Sequence, residues 1–134
     1  MRATMLVLSA ALASCTATPG EVERAAAAQS RTAAALEEEL AGLVPGRRSS
    51  CLPVLARTNV ASSNYGTTIV YRVSRDLKYR NDTNGPCGQP DDILVTQTPL
   101  TRVCSGDIVQ AVDRASRFPT GSCALGDFVE YRRP

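Results

Sequence analysis

The chain has 134 residues and a formal net charge of +2, which suits one small domain and excludes a strongly basic nucleic-acid-binding protein. It contains no histidine, which excludes Ser-His-Asp and Cys-His catalysis and every metal site that uses imidazole. We therefore expect no cofactor, no bound metal and no catalytic residue, and a protein that is not an enzyme.

Residues 1–14 have the features of an export signal. Arg2 supplies a positive start, and residues 5–13 form an apolar run too short to span a bilayer, which takes about 20 apolar residues. The run ends in Leu12-Ala13-Ser14-Cys15, which resembles the lipobox of bacterial lipoproteins. This resemblance implies cleavage before the cysteine, acylation of its thiol and attachment to a membrane. Thr16 in place of aspartate implies the outer membrane, with the protein facing the periplasm; an ordinary signal peptide is the alternative.

Residues 19–44 predict a spacer helix that follows a short tether, residues 15–18. Thr18-Pro19-Gly20-Glu21 is typical of a helix start, with a capping box and proline at the first position. A weak apolar stripe at heptad-like spacing runs along the helix: Val22, Ala26, Gln29, Ala33, Leu36, Leu40 and Leu43. We interpret the helix as a spacer that lies on the domain or is partly free, and self-association is the alternative. Residues 45–50 read as a basic linker.

Residues 51–134 predict a mainly β domain. The strongest strand pattern is 66–80, where Ile69, Tyr71 and Val73 alternate with more polar residues. A break at Arg75-Asp76 indicates either one bent strand or a hairpin. Further strands are predicted at 51–60, 93–98, 102–113 and 128–131, and loops at 61–65, 81–86 and 114–121. Short strands without crossover helices indicate a small antiparallel barrel or sandwich.

The cysteines indicate a disulfide-stapled domain. There are five, and acylation of Cys15 leaves four, which can form two disulfides in an oxidising periplasm. They lack the C-x-x-C spacing of a zinc site or a redox pair: Cys51, Cys87, Cys104 and Cys123. Three pairings are possible, and we favour Cys87 with Cys104 and Cys51 with Cys123.

Polar residues of the domain offer one candidate binding face. Arg72, Lys78 and Arg80 can share one strand face and meet an anionic surface, such as lipid headgroups or cell-wall carboxylates, unless they form an ordinary solvated face. Asp91 and Asp92 are neighbours that precede the predicted strand 93–98, and on a strand they would point to opposite sides, which is poor geometry for a catalytic pair. Asp107 and Asp127 each follow a glycine and precede a strand, so we interpret both as turn-forming residues.

The β domain also resembles a known family. Cys51, the strand from Thr68 to Tyr79, Gly85-Pro86-Cys87, Val103-Cys104-Ser105-Gly106-Asp107 and Cys123 resemble a family of small exported bacterial proteins with four cysteines, a domain of unknown function. The resemblance implies an exported β module and no activity. We expect a non-enzymatic binding or structural module of the cell envelope, with an envelope protein or an anionic cell-wall or lipid surface as partner. The alternative is a lipoprotein inhibitor of a lytic enzyme or protease that presents the loop 81–92.

Overall fold

The structure is a computed structural model that describes residues 17–53 and 60–134. One helix precedes eight strands: α1 (Pro19–Leu40), β1 (Val44–Ser49), β2 (Ala61–Tyr65), β3 (Thr68–Arg72), β4 (Leu77–Asp82), β5 (Ile93–Gln97), β6 (Ile108–Val112), β7 (Pro119–Ala124) and β8 (Phe128–Arg132). The predicted signal peptide and Cys15 lie outside the described residues, as does most of the predicted strand 51–60. No helix in the described ranges is long and apolar enough to cross a membrane.

The strands form two open antiparallel sheets. The large sheet has the order β1-β8-β4-β3-β2, and the small sheet has the order β5-β6-β7. Neither order closes on itself, so of the two predicted architectures the sandwich is confirmed and the barrel is not. The segment 66–80 is a hairpin, because β3 pairs with β4 throughout and the break at Arg75-Asp76 is its turn.

The core lies between the sheets and is centred on this hairpin. Ile69 and Tyr71 of β3 and Tyr79 of β4 point inward and pack with Phe128 of β8. The rings of Tyr71 and Phe128 lie 5.6 Å apart in a tilted arrangement, which is favourable for aromatic pairs. Burial raises the pKa of the Tyr71 hydroxyl to about 12. Two of the three aromatic residues of this small core therefore come from the stretch that carries the strongest strand pattern.

Two segments predicted as a linker and a loop are strands, and a third predicted loop is partly a strand. Residues 45–50, predicted as a linker, fall mostly in β1, whose Pro45 is accommodated because β1 is an edge strand. Residues 61–65, predicted as a loop from their polar side chains, form β2 at the opposite edge. The predicted loop 114–121 ends in β7, which starts at Pro119. An edge strand needs fewer apolar side chains than a central strand, so its pattern in the sequence is weak.

The predicted disulfide pairing is wrong. Cys51 bonds to Cys104, and Cys87 bonds to Cys123. Cys51 follows β1 of the large sheet and Cys104 precedes β6 of the small one. Cys87 follows β4 of the large sheet, whereas Cys123 lies in β7 of the small one. Each bond therefore joins the two sheets, and this arrangement depends on the sheet order rather than on proximity along the chain.

Helix α1 begins as predicted and ends earlier than predicted. The Glu21 carboxylate accepts hydrogen bonds from the Thr18 backbone N–H and hydroxyl, both at 2.7 Å. Residues 19–31 are all exposed. Only one face of the second half is partly covered, by contact with the large sheet: Thr32, Leu36, Glu39 and Leu40. The first half of α1 therefore extends beyond the domain and the second half lies on it.

Candidate functional site

Glu39, in the last turn of α1, holds the helix on the outer face of the large sheet. Its carboxylate pairs with the Arg72 guanidinium at 2.8 Å and with the Lys78 ammonium at 2.7 Å. It also accepts a hydrogen bond from the Tyr65 hydroxyl at 3.3 Å. Arg72 and Lys78 are directly opposite in the β3–β4 register, so their side chains leave the same face of the sheet. We call Glu39, Arg72 and Lys78 the latch.

Two of the three latch side chains are shielded from water, which strengthens their interaction, whereas the Arg72 side chain is 40% exposed. The side chain of Glu39 is 15% exposed and that of Lys78 is 12% exposed. Burial by itself raises the pKa of Glu39, but the hydrogen bonds and charges of Lys78 and Arg72 outweigh burial, and the pKa is lowered. A carboxyl whose pKa falls on folding stabilises the folded state above its unfolded pKa. This stabilisation is lost as the pH falls through the folded pKa.

We expect Glu39→Gln to lower the free energy of unfolding at neutral pH by about 2 kcal/mol, because the shielded Lys78 ammonium loses its counter-ion. The difference from the unchanged protein should shrink as the pH falls below 4.5, the ordinary pKa of a glutamate, because the carboxyl is then protonated first in the unfolded state and, at lower pH, in the folded state. Urea denaturation at a series of pH values measures this difference. The exposed neighbour Glu38→Gln is the control, and an equal loss in both variants would contradict the latch.

Arg80, the third residue of the predicted basic face, is separate from the latch. Its guanidinium pairs with Asp82 at 2.9 Å, and the same carboxylate accepts a hydrogen bond from the Thr68 hydroxyl at 2.7 Å. The structure therefore pairs Arg72 and Lys78 with Glu39 of α1. Arg80 instead pairs with Asp82 of its own strand. The face that the sequence assigns to an anionic partner is occupied by carboxylates of the chain itself.

A groove runs along both sides of α1 where the helix passes the tip of the β2–β3 hairpin. On one side, a cavity of about 640 Å³ lies between the helix and the loop that follows β4. On the other side, a cavity of about 510 Å³ reaches Asn64 and Asp91. The walls of the larger cavity include Ala33 and Leu36 from the helix and Pro86 and Pro90 from the loop. We call the two cavities together the α1 groove.

The loop that forms one wall of the α1 groove, residues 83–92, is held at several points. The Cys87–Cys123 disulfide joins it to β7. The buried Asn64 side chain donates to the Gly88 and Gln89 carbonyl oxygens at 3.4 and 3.2 Å. The Asp92 carboxylate accepts the Gln89 N–H at 2.7 Å and the Thr120 hydroxyl at 2.5 Å. These contacts hold the loop rigidly in place. The loop is shorter than the predicted loop 81–92, because Asn81 and Asp82 are the last residues of β4.

Asn64 also carries an unsatisfied group. Its side-chain oxygen is the one buried side-chain acceptor in the described ranges that has no hydrogen-bond donor. The residue lies in the wall of the 510 Å³ cavity, beside Pro90 and Asp91. A buried acceptor without a donor costs about 1 to 3 kcal/mol.

The acidic residues singled out in the sequence have different roles. Asp91 and Asp92 lie in the turn before β5 rather than in a strand. Asp107 is a turn-forming residue as predicted, because its buried carboxylate accepts the Cys104 N–H at 2.8 Å. Asp127 is more exposed and pairs with Arg48 at 3.8 Å. Within the described part of the chain, no backbone amide donates to the Asp127 carboxylate, so the predicted equivalence of the two turns is wrong.

We expect Asp107→Ala to lower the free energy of unfolding by about 1 kcal/mol, because the Cys104 N–H loses its acceptor in a buried turn. Asp127→Ala is the matched control and should change the free energy by no more than about 0.5 kcal/mol, as expected for an exposed ion pair. Urea denaturation measures both. Equal losses in the two variants would show that the Cys104 hydrogen bond is not what distinguishes these turns.

Neither the groove nor the latch was predicted from the sequence. One signal for Glu39 exists: it lies three residues after Leu36, on the same side of the helix. No signal exists for the groove, because its walls come from a helix, a hairpin tip and a loop that meet only in the folded chain.

Comparisons with protein-family models, with curated proteins and with solved structures gave no match for this chain.

Proposed function

We propose that this protein is a lipid-anchored binding module of the bacterial cell envelope, attached through Cys15, facing the periplasm, and binding its partner in the α1 groove. The observation that carries the binding role is that both walls of the groove are pre-organised. The latch fixes the helix on the sheet, and the Cys87–Cys123 disulfide fixes the loop. A site that is already ordered loses little entropy on binding, which favours affinity.

The chemistry of the groove supports binding rather than catalysis. Among the described residues, Tyr65 is the single titratable side chain in the wall of the larger cavity, and burial and the negative charge of Glu39 raise its pKa. The wall combines apolar surface from Leu36 and the prolines with hydrogen-bonding groups from Gln29 and Thr32. This combination suits an uncharged, extended segment, and we propose a polypeptide segment of an envelope protein as the ligand.

The location rests on the N-terminal motif and on the disulfides. Two disulfides fit an oxidising, exported environment. Lipid attachment and outer-membrane location are inferred from Leu12-Ala13-Ser14-Cys15 and Thr16. Mass spectrometry of the mature N-terminus should show an acylated Cys15. A free thiol at that position, or cleavage at another bond, would remove the lipid anchor from the proposal while leaving the groove.

Affinity capture with two arginine variants tests the groove. Ala33 lies in the groove wall and its neighbour Ala34 does not, so Ala33→Arg places a bulky charge in the groove and Ala34→Arg places it beside the groove. The two variants have the same helix propensity as each other, because both replace an alanine by an arginine. We expect cross-linked capture from envelope extract to lose the partner with Ala33→Arg and to retain it with Ala34→Arg. Retention of the partner by both variants would exclude the groove as the binding site.

The alternative of an inhibitor is favoured by one observation. The loop 83–92 is rigidly held, and its exposed tip, Gln89-Pro90-Asp91, is accessible to another protein. Rigid exposed loops bind enzyme active sites with a low entropic cost. Inhibition of purified envelope lytic enzymes and proteases measures this function. If Pro90→Ala lost the inhibition and Ala33→Arg retained it, the inhibitor function would be favoured over groove binding.

A further inference from the structure

The loop between β6 and β7 is a small, rigid structure. The Asp113 carboxylate accepts the Ala115 and Ser116 N–H groups at 3.1 and 2.6 Å and the Ser116 hydroxyl at 2.7 Å. The Asp113 N–H donates to the Phe118 carbonyl at 2.9 Å and closes the loop. Arg117 has φ of 63°, a left-handed conformation that a residue with a side chain rarely adopts. The loop is therefore held in one conformation by its own hydrogen bonds.

This loop presents an aromatic side chain between cations. Phe118 is 72% exposed, the highest value among the exposed large hydrophobic residues of the described chain. Arg114 and Arg117 are exposed beside it. The negative charge of Asp113 is directed at the amides of the turn, whose hydrogen bonds lower its pKa. An exposed apolar side chain with two exposed cations in the same loop is suited to the interface of an anionic bilayer, where the ring enters and the cations stay at the headgroups.

The loop lies at the end of the domain that carries the first half of α1. The Arg114 guanidinium donates to the Asp91 carbonyl at 3.4 Å. Asp91 and the helix residues Ala28 and Arg31 line the same cavity. The helix extends past this cavity for nine residues, Pro19 to Ala27, which is about 13 Å of helix. Only residues 16–18 separate Cys15 from Pro19, and the distance from the Cys15 Cα to the Pro19 Cα is at most about 14 Å.

We infer that the β6–β7 loop is a second membrane contact, with Phe118 in the lipid interface and Arg114 and Arg117 at anionic headgroups. The inference rests on the lipid anchor in the proposed function, because the anchor brings this end of the domain to the bilayer. A tether this short makes the contact intramolecular, with an effective concentration on the order of millimolar, so a weak contact is sufficient. The α1 groove lies beside the loop and would then face a partner close to the membrane surface.

The absence of tryptophan from the chain allows a local test. In the full chain, Phe118→Trp places the single tryptophan in the loop. Leu100→Trp places one at an exposed site in the β5–β6 connection, at the opposite end of the small sheet. Each variant is bound to vesicles that contain phosphatidylglycerol and, separately, to vesicles of phosphatidylcholine alone. Emission wavelength and quenching by brominated lipid are measured.

We expect a blue shift and strong quenching for Phe118→Trp on phosphatidylglycerol vesicles, and neither for Leu100→Trp. Adding Arg114→Glu and Arg117→Glu to Phe118→Trp should abolish the shift. Because the reporter is local, an acylated protein without a shift would overturn the loop contact and leave the lipid anchor intact. A shift that appears only in native envelope membranes, and on no pure lipid, would overturn the lipid contact in favour of a protein partner.

Discussion

Replacing Cys87 and Cys123 together by alanine is expected to lower the free energy of unfolding by about 4 kcal/mol. The bond closes a loop across 36 residues, for which the chain-entropy relation gives a contribution close to that value. Both sulfur atoms also belong to the buried core, so alanine leaves unfilled space between the sheets. Urea denaturation of the double variant, compared with the unchanged protein, measures the loss.

The Cys51–Cys104 disulfide provides the matched control for the effect that loss of the Cys87–Cys123 bond has on function. Cys51 and Cys104 span 53 residues, so alanine at both positions removes a similar entropic contribution. That bond does not touch the α1 groove, whereas Cys87 holds the groove loop. We therefore expect both double variants to be destabilised, and the variant at Cys87 and Cys123 to lose partner capture under conditions where both remain folded. Loss of capture in both variants to the same extent would contradict a specific role for the loop.

Gly88→Ala is expected to lower the free energy of unfolding by about 3 kcal/mol. Gly88 has φ of +111°, and an added Cβ would lie 2.5 Å from the Ala111 Cβ and 2.7 Å from the Asp92 Oδ2. The first neighbour belongs to the inner face of β6 and cannot move away without disturbing the core. The substitution therefore adds a steric clash to an unfavourable backbone conformation. Thermal or urea denaturation measures the effect.

Gly106→Ala separates the cost of the steric clash from the cost of the unfavourable backbone conformation. Gly106 has φ of +90°, but an added Cβ would meet nothing within 4 Å. We expect it to cost about 1 kcal/mol, which is the backbone contribution alone. If Gly88→Ala cost no more than Gly106→Ala, the loop would be able to move away from β6, and the pre-organisation on which the proposed binding site depends would be absent.

Several features of the fold could be predicted from local sequence because local interactions determine them. The start of α1 depends on Thr18 and Glu21, which are three residues apart. The β3–β4 hairpin depends on alternating side chains around one turn, and its apolar residues form the centre of the core as the alternation indicates. The turn at Asp107 likewise depends on a hydrogen bond to a residue three positions away.

Other features were decided by tertiary structure, because they depend on which distant segments become neighbours. The cysteine pairing follows from the sheet order, which places Cys87 beside Cys123 although Cys104 is nearer along the chain. The polar segment Ala61–Tyr65 becomes a strand because β3 offers it a complete set of backbone partners. Arg72 and Lys78 looked free for an anionic partner because Glu39, which pairs with both, is more than thirty residues earlier in the sequence. Long-range pairing of charges and backbone groups leaves no periodic pattern in the sequence, so only the folded chain shows it.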